Sequence, residues 1–313
     1  LDPANNEGVL GSECTLILVE GLAAKTYAVK GIDIGAFGKK GRDWFGIYAL
    51  RGKVLNVRNA QTSSISKNKV ISDIIKALGA KLNVDYTLDK IFKTLRYGKI
   101  MIITDADVDG IHISGLLQNM IHTMFPTLLE RRESFITSMQ TPIVRVFLKN
   151  KKQKLFYDER EYKSYVTEFS KNNPNKKIVK KYYKGLGSSS DKDIRDTFGN
   201  KMIEYKNDEY TNFNMNKVFS SKNADARKVW LQNYDNKHIV LKWNEDKKEV
   251  VPLNISDFLN TEMIKFSLDD CKRSIPCLLD GLKESNRKAL YACFLRNLKY
   301  TGKSLKVVHL LDT

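Results

Sequence analysis

No apolar stretch in the 313 residues approaches the length needed to cross a membrane, and no signal peptide opens the chain. There is no internal repeat, no low-complexity tract and no phosphate loop of the ATPase type. Cysteine is scarce: the four residues Cys14, Cys271, Cys277 and Cys293 include no Cys-x-x-Cys pair. That argues against a zinc site and for reduced thiols in an intracellular protein. Acid is in short supply too: 36 Asp plus Glu against 53 Lys plus Arg leave a formal charge of +17. Such an excess predicts a polyanionic partner, nucleic acid ahead of membrane. The length allows two domains or one large one. The chain starts at Leu1 without an initiator Met and stops abruptly at Thr313, so a segment of a longer protein is expected.

Against that basic background the acids that do occur are concentrated. Lys99–Ile103 is an apolar run of strand character that leads into Asp105, Asp107 and Asp109 and then Gly110. If the backbone stays extended, alternate positions point all three carboxylates to one side. Anions that close call for a hard divalent cation with oxygen ligands. An EF-hand is excluded because Leu116 stands where the bidentate Glu belongs and a strand replaces the incoming helix. The bland alternative is a solvated acidic turn after a buried strand.

A second unit has the same layout. Cys14–Val19 reads as a strand ending in Glu20-Gly21, and Leu22–Val29 reads as the start of a helix, with Gly21 placed where the chain turns sharply. After Gly110, Ile113, Leu116, Leu117, Met120, Ile121 and Met124 recur at helical spacing. Two strand–acid–helix units predict adjacent parallel strands with the carboxylates at one sheet edge. Alone, Glu20 reads more readily as a helix-capping or hydrogen-bonded acid than as a ligand.

Further along, Ser66–Leu78 is predicted helical with Gly79 as its stop. Lys149–Lys154 reads as a charged hairpin turn and Leu155–Tyr157 as the start of a strand. Glu159–Phe169 reads as a helix, Ile178–Tyr183 as a strand, and Asp191–Phe198 as a helix capped from Ser188–Ser190. Asn207–Asn216 reads as a polar loop, Ala226–Tyr234 as a short amphipathic helix, and the chain from Ile255 onward as mostly helical.

An isolated Glu-Gly after one strand and Asp-x-Asp after another resembles the TOPRIM fold of topoisomerases and primases. The likeness narrows with Arg51–Ala60, which resembles the "PLRGKILNVREA" block of eukaryotic-type DNA topoisomerase II. Leu95–Ile102, Tyr182–Gly187 and Arg273–Pro276 are similar to blocks of the same family in the same order, so that the resemblance runs from about Cys14 to about Lys306. Within that family the chain looks most like the enzyme of a large cytoplasmic DNA virus, of the African swine fever virus kind. The fold implied is α/β, a Rossmann-like parallel sheet flanked by helices over residues 12–148. An extension with the Lys-Gly-Leu-Gly block would cover 149–258, and a mostly helical winged-helix domain would begin over 259–313.

The resemblance also implies roles. Glu20, Asp105, Asp107 and Asp109 would hold Mg²⁺, with Mn²⁺ or Ca²⁺ as substitutes. Two metal positions would share Asp105, while Asp109 would complete the second or orient waters. Glu20 would also exchange a proton with the DNA 3′-oxygen. Arg51, Lys53, Asn56 and Lys184 would meet double-stranded DNA, and Arg273, Asp280, Lys283 and Arg287 would assist cleavage. Without the resemblance, each basic residue reads as a solvated surface charge. The attacking tyrosine is not expected in this chain, where Arg96-Tyr97 is the only Arg-Tyr pair and belongs to another block. The parent would be an ATP-dependent homodimer that bears its ATPase elsewhere, free of any membrane, in the host cytoplasm if viral and otherwise in the nucleus. The segment alone would bind Mg²⁺ and DNA without cleaving. Two rival readings are a TOPRIM metal nuclease or primase-like protein and a non-catalytic basic DNA-binding module.

Three departures stand out. The family's "EGDSA" is Glu20-Gly21-Leu22-Ala23-Ala24 here, Ala49 replaces the Pro of "PLRGK", and Lys283–Lys288 lacks the Pro-Gly turn of "KPGQRK". They predict altered contacts beside Glu20, a slightly looser turn before Arg51, and an altered loop around Lys283.

Overall fold

The structure is a computed structural model. It describes residues 1–313 except 36, 38–40, 149–152, 175, 184–185, 236–240, 242, 244–247 and 312–313, and only the backbone of Ser188 and Leu311. The chain forms two compact units, Leu1–Met263 and Ile264–Thr313.

The first unit begins with β1 (Thr15–Val19), α1 (Leu22–Asp33), β2 (Phe45–Ala49), α2 (Lys69–Leu78), β3 (Lys99–Ile103), α3 (Val108–Met124) and β4 (Ile136–Met139). It continues with β5 (Val144–Phe147), β6 (Gln153–Phe156), α4 (Glu159–Asn172), β7 (Val179–Tyr182), α5 (Asp191–Thr197), β8 (Lys201–Lys206), α6 (Thr211–Phe219), α7 (Ala224–Gln232) and β9 (Glu249–Asn254). The main sheet has the order β2-β1-β3-β4-β8-β9. Its first four strands are parallel, β8 joins β4 antiparallel, and β9 pairs with β8 parallel. The expected parallel sheet is therefore mixed at its far side.

β1 and β3 are continuous apolar runs because helices cover the sheet on both faces. Leu16, Ile17, Leu18 and Val19 are fully buried. In α1, Ala24, Tyr27, Ala28, Gly31 and Ile32 recur at helical spacing and form its buried face. Apart from Gly31 they join Ile17, Val19, Ile103, Phe198 and Met202 in one hydrophobic cluster.

β5, β6 and β7 form a separate antiparallel sheet of order β6-β5-β7. The predicted charged turn falls largely on 149–152, outside the described residues, but its flanks pair as a hairpin through Phe147↔Gln153. The strand after it ends at Phe156 instead of starting at Leu155.

Two further expectations need correction. Ser66–Leu78 is not one helix: Asn68 is extended between Thr62–Lys67 and α2, and its side chain accepts from Ile71 N to cap α2. Gly79 ends α2 at φ 67°, as expected. Asn207–Asn216 is not all loop, since α6 starts at Thr211. Thr211, Asn214, Met215, Val218 and Phe219 are its buried positions, and the asparagines that suggested a loop are bonded within the protein.

In the second unit, α8 (Ile264–Ser274) and α9 (Glu284–Leu295) are joined by a turn in which Gly281 has φ 67°. No strand occurs among its described residues.

Candidate metal and nucleic-acid site

β1 and β3 pair in the register Val19↔Ile103, so both chains leave the sheet at the same level. Glu20 and Asp105 consequently meet, and Glu20 Oε2 accepts from Asp105 N at 3.2 Å. Asp107 is the N-cap of α3, its Oδ1 accepting from Gly110 N at 2.9 Å. The helix starting at Val108 overturns the expected extended run. Asp109 falls in the first helical turn and meets Lys53, whose Nζ lies 2.8 Å from its Oδ1. Gly110 lets this turn fold back, because a Cβ there would lie 2.2 Å from Asp105 O. Gly21 is different. Its φ of −172° suits any residue, and a Cβ there would meet nothing within 4 Å, so the turn after Glu20 does not demand glycine.

Burial pushes the Glu20 carboxyl above its ordinary value, and the charges of Asp105, Asp107 and Asp109 add to this against the opposing Asp105 N–H. Asp105 Oδ1 also accepts from Leu186 N at 2.8 Å. Glu20, Asp105 and Asp107 thus each commit one oxygen to a backbone N–H, and the other has no hydrogen-bond partner among the described residues. This orients the carboxylates without neutralising them, and hard oxygen donors of this kind suit a divalent cation. They are not drawn into a closed set: among the described residues no group of three or more His, Cys, Asp or Glu is gathered as metal ligands.

The Lys-Gly-Leu-Gly block reaches the same edge. Lys184 lies outside the described residues, but Leu186 bonds Asp105, and a Cβ on Gly187 would lie 2.7 Å from that of Ala23. The strand leading into this block is anchored from below. Asp193 accepts from Tyr183 Oη at 2.9 Å and from Lys181 Nζ at 2.6 Å, and lies 3.2 Å from the buried Arg145 guanidinium. Arg145 also pairs with Asp196 at 3.0 Å. Although burial opposes it, this ring of donors holds the Asp193 carboxyl well below the usual range.

Arg51 and Lys53 are exposed around Gly52, which at φ 87° does need glycine's freedom. Asn56 does not face outward as a DNA contact would. Its Nδ2 donates to Phe219 O at 2.8 Å, and its Oδ1 accepts from Asn119 Nδ2 at 3.0 Å and Arg58 N at 3.2 Å. Asn56 belongs to a network that the sequence reading missed, centred on Arg58. That guanidinium donates to Asn119 Oδ1 and Asn216 Oδ1 and bonds His122 Nδ1, each at 2.8 Å. Burial lowers the Arg58 pKa, and burial together with Arg58 takes His122 down to about 4. The network ties the 51–60 segment to α3 and α6. The one available signal was the cluster of Asn56, Arg58 and Asn59 between apolar neighbours.

Arg273, Asp280, Lys283 and Arg287 lie in the second unit. Arg287 grips Asp280 through two nitrogens, at 2.6 and 3.0 Å, and Arg273 pairs with Asp269 one turn earlier at 2.7 Å. Lys283 is the N-cap residue of α9, and its N–H donates to Asn286 Oδ1. Where the family has Pro-Gly, this chain starts a helix at Glu284. Tyr97 is fully buried, with its hydroxyl accepting from Ala4 N and donating to Glu7. Burial, reinforced by Glu7, raises its pKa. It is a core residue whose hydroxyl is engaged on both sides.

The profile of the Toprim domain matches residues 15–139, and that of the C-terminal associated domain of TOPRIM matches 139–271. DNA topoisomerase 2 of Invertebrate iridescent virus 6 is 44% identical over 305 residues, covering 93% of this chain and 27% of that protein. DNA topoisomerase 2-alpha of Rattus norvegicus is also 44% identical, over 312 residues, covering 96% of this chain and 20% of that protein. Identity therefore does not separate a viral from a cellular parent. The crystal structure of the Plasmodium falciparum topoisomerase II DNA-binding, cleavage and re-ligation domain superposes with a TM-score of 0.79 at 38% identity, covering 99% of this chain and 40% of that one. The chain spans 20–27% of the length of these curated relatives. Two adjoining Toprim profiles, extended by relatives that match across nearly the whole chain, mean that it belongs to the type II DNA topoisomerases, as their Toprim segment.

Proposed function

We propose that this chain is the metal- and DNA-binding part of an ATP-dependent type II DNA topoisomerase that cuts and reseals duplex DNA by tyrosyl transesterification. The observation that carries the reading is the Glu20 carboxylate on the Asp105 N–H at 3.2 Å, from two strands far apart in sequence. Glu20, Asp105 and Asp107 would hold Mg²⁺, with Asp109 beside them, and a bound divalent ion would offset charge on the phosphate and the leaving oxygen. Glu20 has a second use. It would also exchange a proton with the DNA 3′-oxygen. Arg51, Lys53 and Lys184 supply positive charge along the phosphate backbone, while Asn56 holds their loop in place. Arg273, Asp280, Lys283 and Arg287 assist cleavage, and we assign residues 259–313 to the beginning of a winged-helix domain. The nucleophilic tyrosine and the ATPase belong to parts of a homodimeric parent beyond these residues.

One rival remains physically grounded, because the carboxylates are not closed into a ligand set: a basic DNA-binding module with no working metal site. Calorimetric titration of the chain with Mg²⁺ separates the two. Binding that disappears in Asp105→Ala and Asp107→Ala supports the enzyme segment. A wild-type chain that takes up no Mg²⁺ refutes it and leaves the module.

A further inference from the structure

Lys53 stands between the two surfaces of the proposed site. The exposed Arg51-Gly52-Lys53 projection is anchored on each side by a buried apolar residue, Leu50 and Val54. Across this short span Gly52 takes a left-handed φ of 87°. The lysine side chain, though exposed, leans toward the acidic edge. Its ammonium rests 2.8 Å from Asp109 Oδ1, in the first turn of α3 and next to the cap residue Asp107. The side chains are 42% and 34% exposed, which matters because a pair that wet is held weakly.

Resting on the metal reading above, we propose that Lys53 is an exchangeable counter-ion, which neutralises Asp109 until a divalent cation reaches the acidic edge and is then released toward a DNA phosphate. Three physical facts favour exchange. A dication among Glu20, Asp105 and Asp107 repels the ammonium held on Asp109 and competes for that carboxylate. Lysine is a compact, strongly hydrated charge on a flexible stem, so it leaves a carboxylate readily, whereas an arginine would grip both oxygens. Finally, the anchored projection needs only side-chain rotation to carry the charge outward. The consequence is a two-way link. Metal uptake frees a cation for the phosphate backbone, and DNA that captures Lys53 draws it away from Asp109 and tightens metal binding by the same factor.

The test uses the chain with Mg²⁺ alone and no DNA. Lysines are acylated briefly with and without Mg²⁺, and labelling is read by peptide mass spectrometry. Labelling of Lys53 should rise about two- to fivefold with metal, while Lys163, ion-paired with Glu159 along α4, stays constant. In parallel, Lys53→Met should bind Mg²⁺ about two- to fivefold more tightly by calorimetry and Lys53→Arg more weakly than wild type. Unchanged or reduced Lys53 labelling in a chain that does bind Mg²⁺, or equal affinity in Lys53→Met, overturns the exchange and leaves the metal reading intact. Absence of any Mg²⁺ binding overturns both.

Discussion

Gly110→Ala is the sharpest perturbation of the acidic edge. A Cβ at this position would lie 2.2 Å from Asp105 O and 2.9 Å from Thr104 Oγ1, whereas ordinary contact begins at 3.4 Å, so the backbone must shift by more than an ångström. That movement falls on Asp105, whose N–H orients Glu20 and whose carboxylate is fixed by Leu186 N. Overpacking against backbone costs about 1–3 kcal/mol, at the upper end here because nothing flexible can give way. Alanine returns up to about 1 kcal/mol of helix propensity, for a net loss of about 2 kcal/mol. Urea unfolding measures it, and Mg²⁺ calorimetry on the same sample should show weakened binding. Gly21→Ser is the control: with open space and no existing side-chain cap on α1, it should keep stability or raise it by about a few tenths of a kcal/mol. An alanine at 110 that is as stable as glycine and binds Mg²⁺ equally would refute the close-approach argument.

Three other outcomes follow from named contacts. Glu20→Gln removes a half-buried charge from among three aspartates while retaining an oxygen for Asp105 N, so, after discounting for solvent screening, it should stabilise the metal-free chain by about 0.5–1 kcal/mol in urea and abolish its Mg²⁺ heat. Asp193→Asn leaves the buried Arg145 under-compensated and should cost about 3 kcal/mol at pH 6. The wild-type carboxyl has its folded pKa depressed below an unfolded value near 4, so its contribution is whole above about pH 4 and is lost as the pH falls on through the folded pKa; the gap between the urea midpoints of wild type and variant should be smaller at pH 3 than at pH 6 without closing. Arg58→Lys cannot satisfy Asn119, Asn216 and His122 together and should cost about 1–3 kcal/mol in urea, with weaker duplex DNA binding by fluorescence anisotropy as the 51–60 segment loosens.

What the sequence revealed is what its local patterns encode. Two β-branched runs, each ending in an acid before a helical repeat, were enough to expect β1 and β3 side by side, and the register Val19↔Ile103 places them so. The Gly79 stop and the cap at Ser190 were readable because a cap is a contact between near neighbours in sequence. Asp109 was misread because period-two alternation presumes a strand, while Asp107 had the makings of a helix cap. α6 was missed because buried asparagines look solvated when their partners, such as Asn260, lie far away in the chain. The Arg58 network was hidden for the same reason, since its bonds to Asn119 and Asn216 span 61 and 158 positions.

The two sequence profiles meet at residue 139, the final residue of β4. In space that border runs through a hydrogen-bonded ladder, because Met139 faces Met202 across the antiparallel β4–β8 pair. A cut there would bare unpaired backbone N–H and C=O groups along β4 and β8, the sort of edge that recruits strangers and precipitates. The halves are therefore poor candidates for shuffling between genes. Whatever history gave them separate names, physics obliges them to be inherited, expressed and purified together.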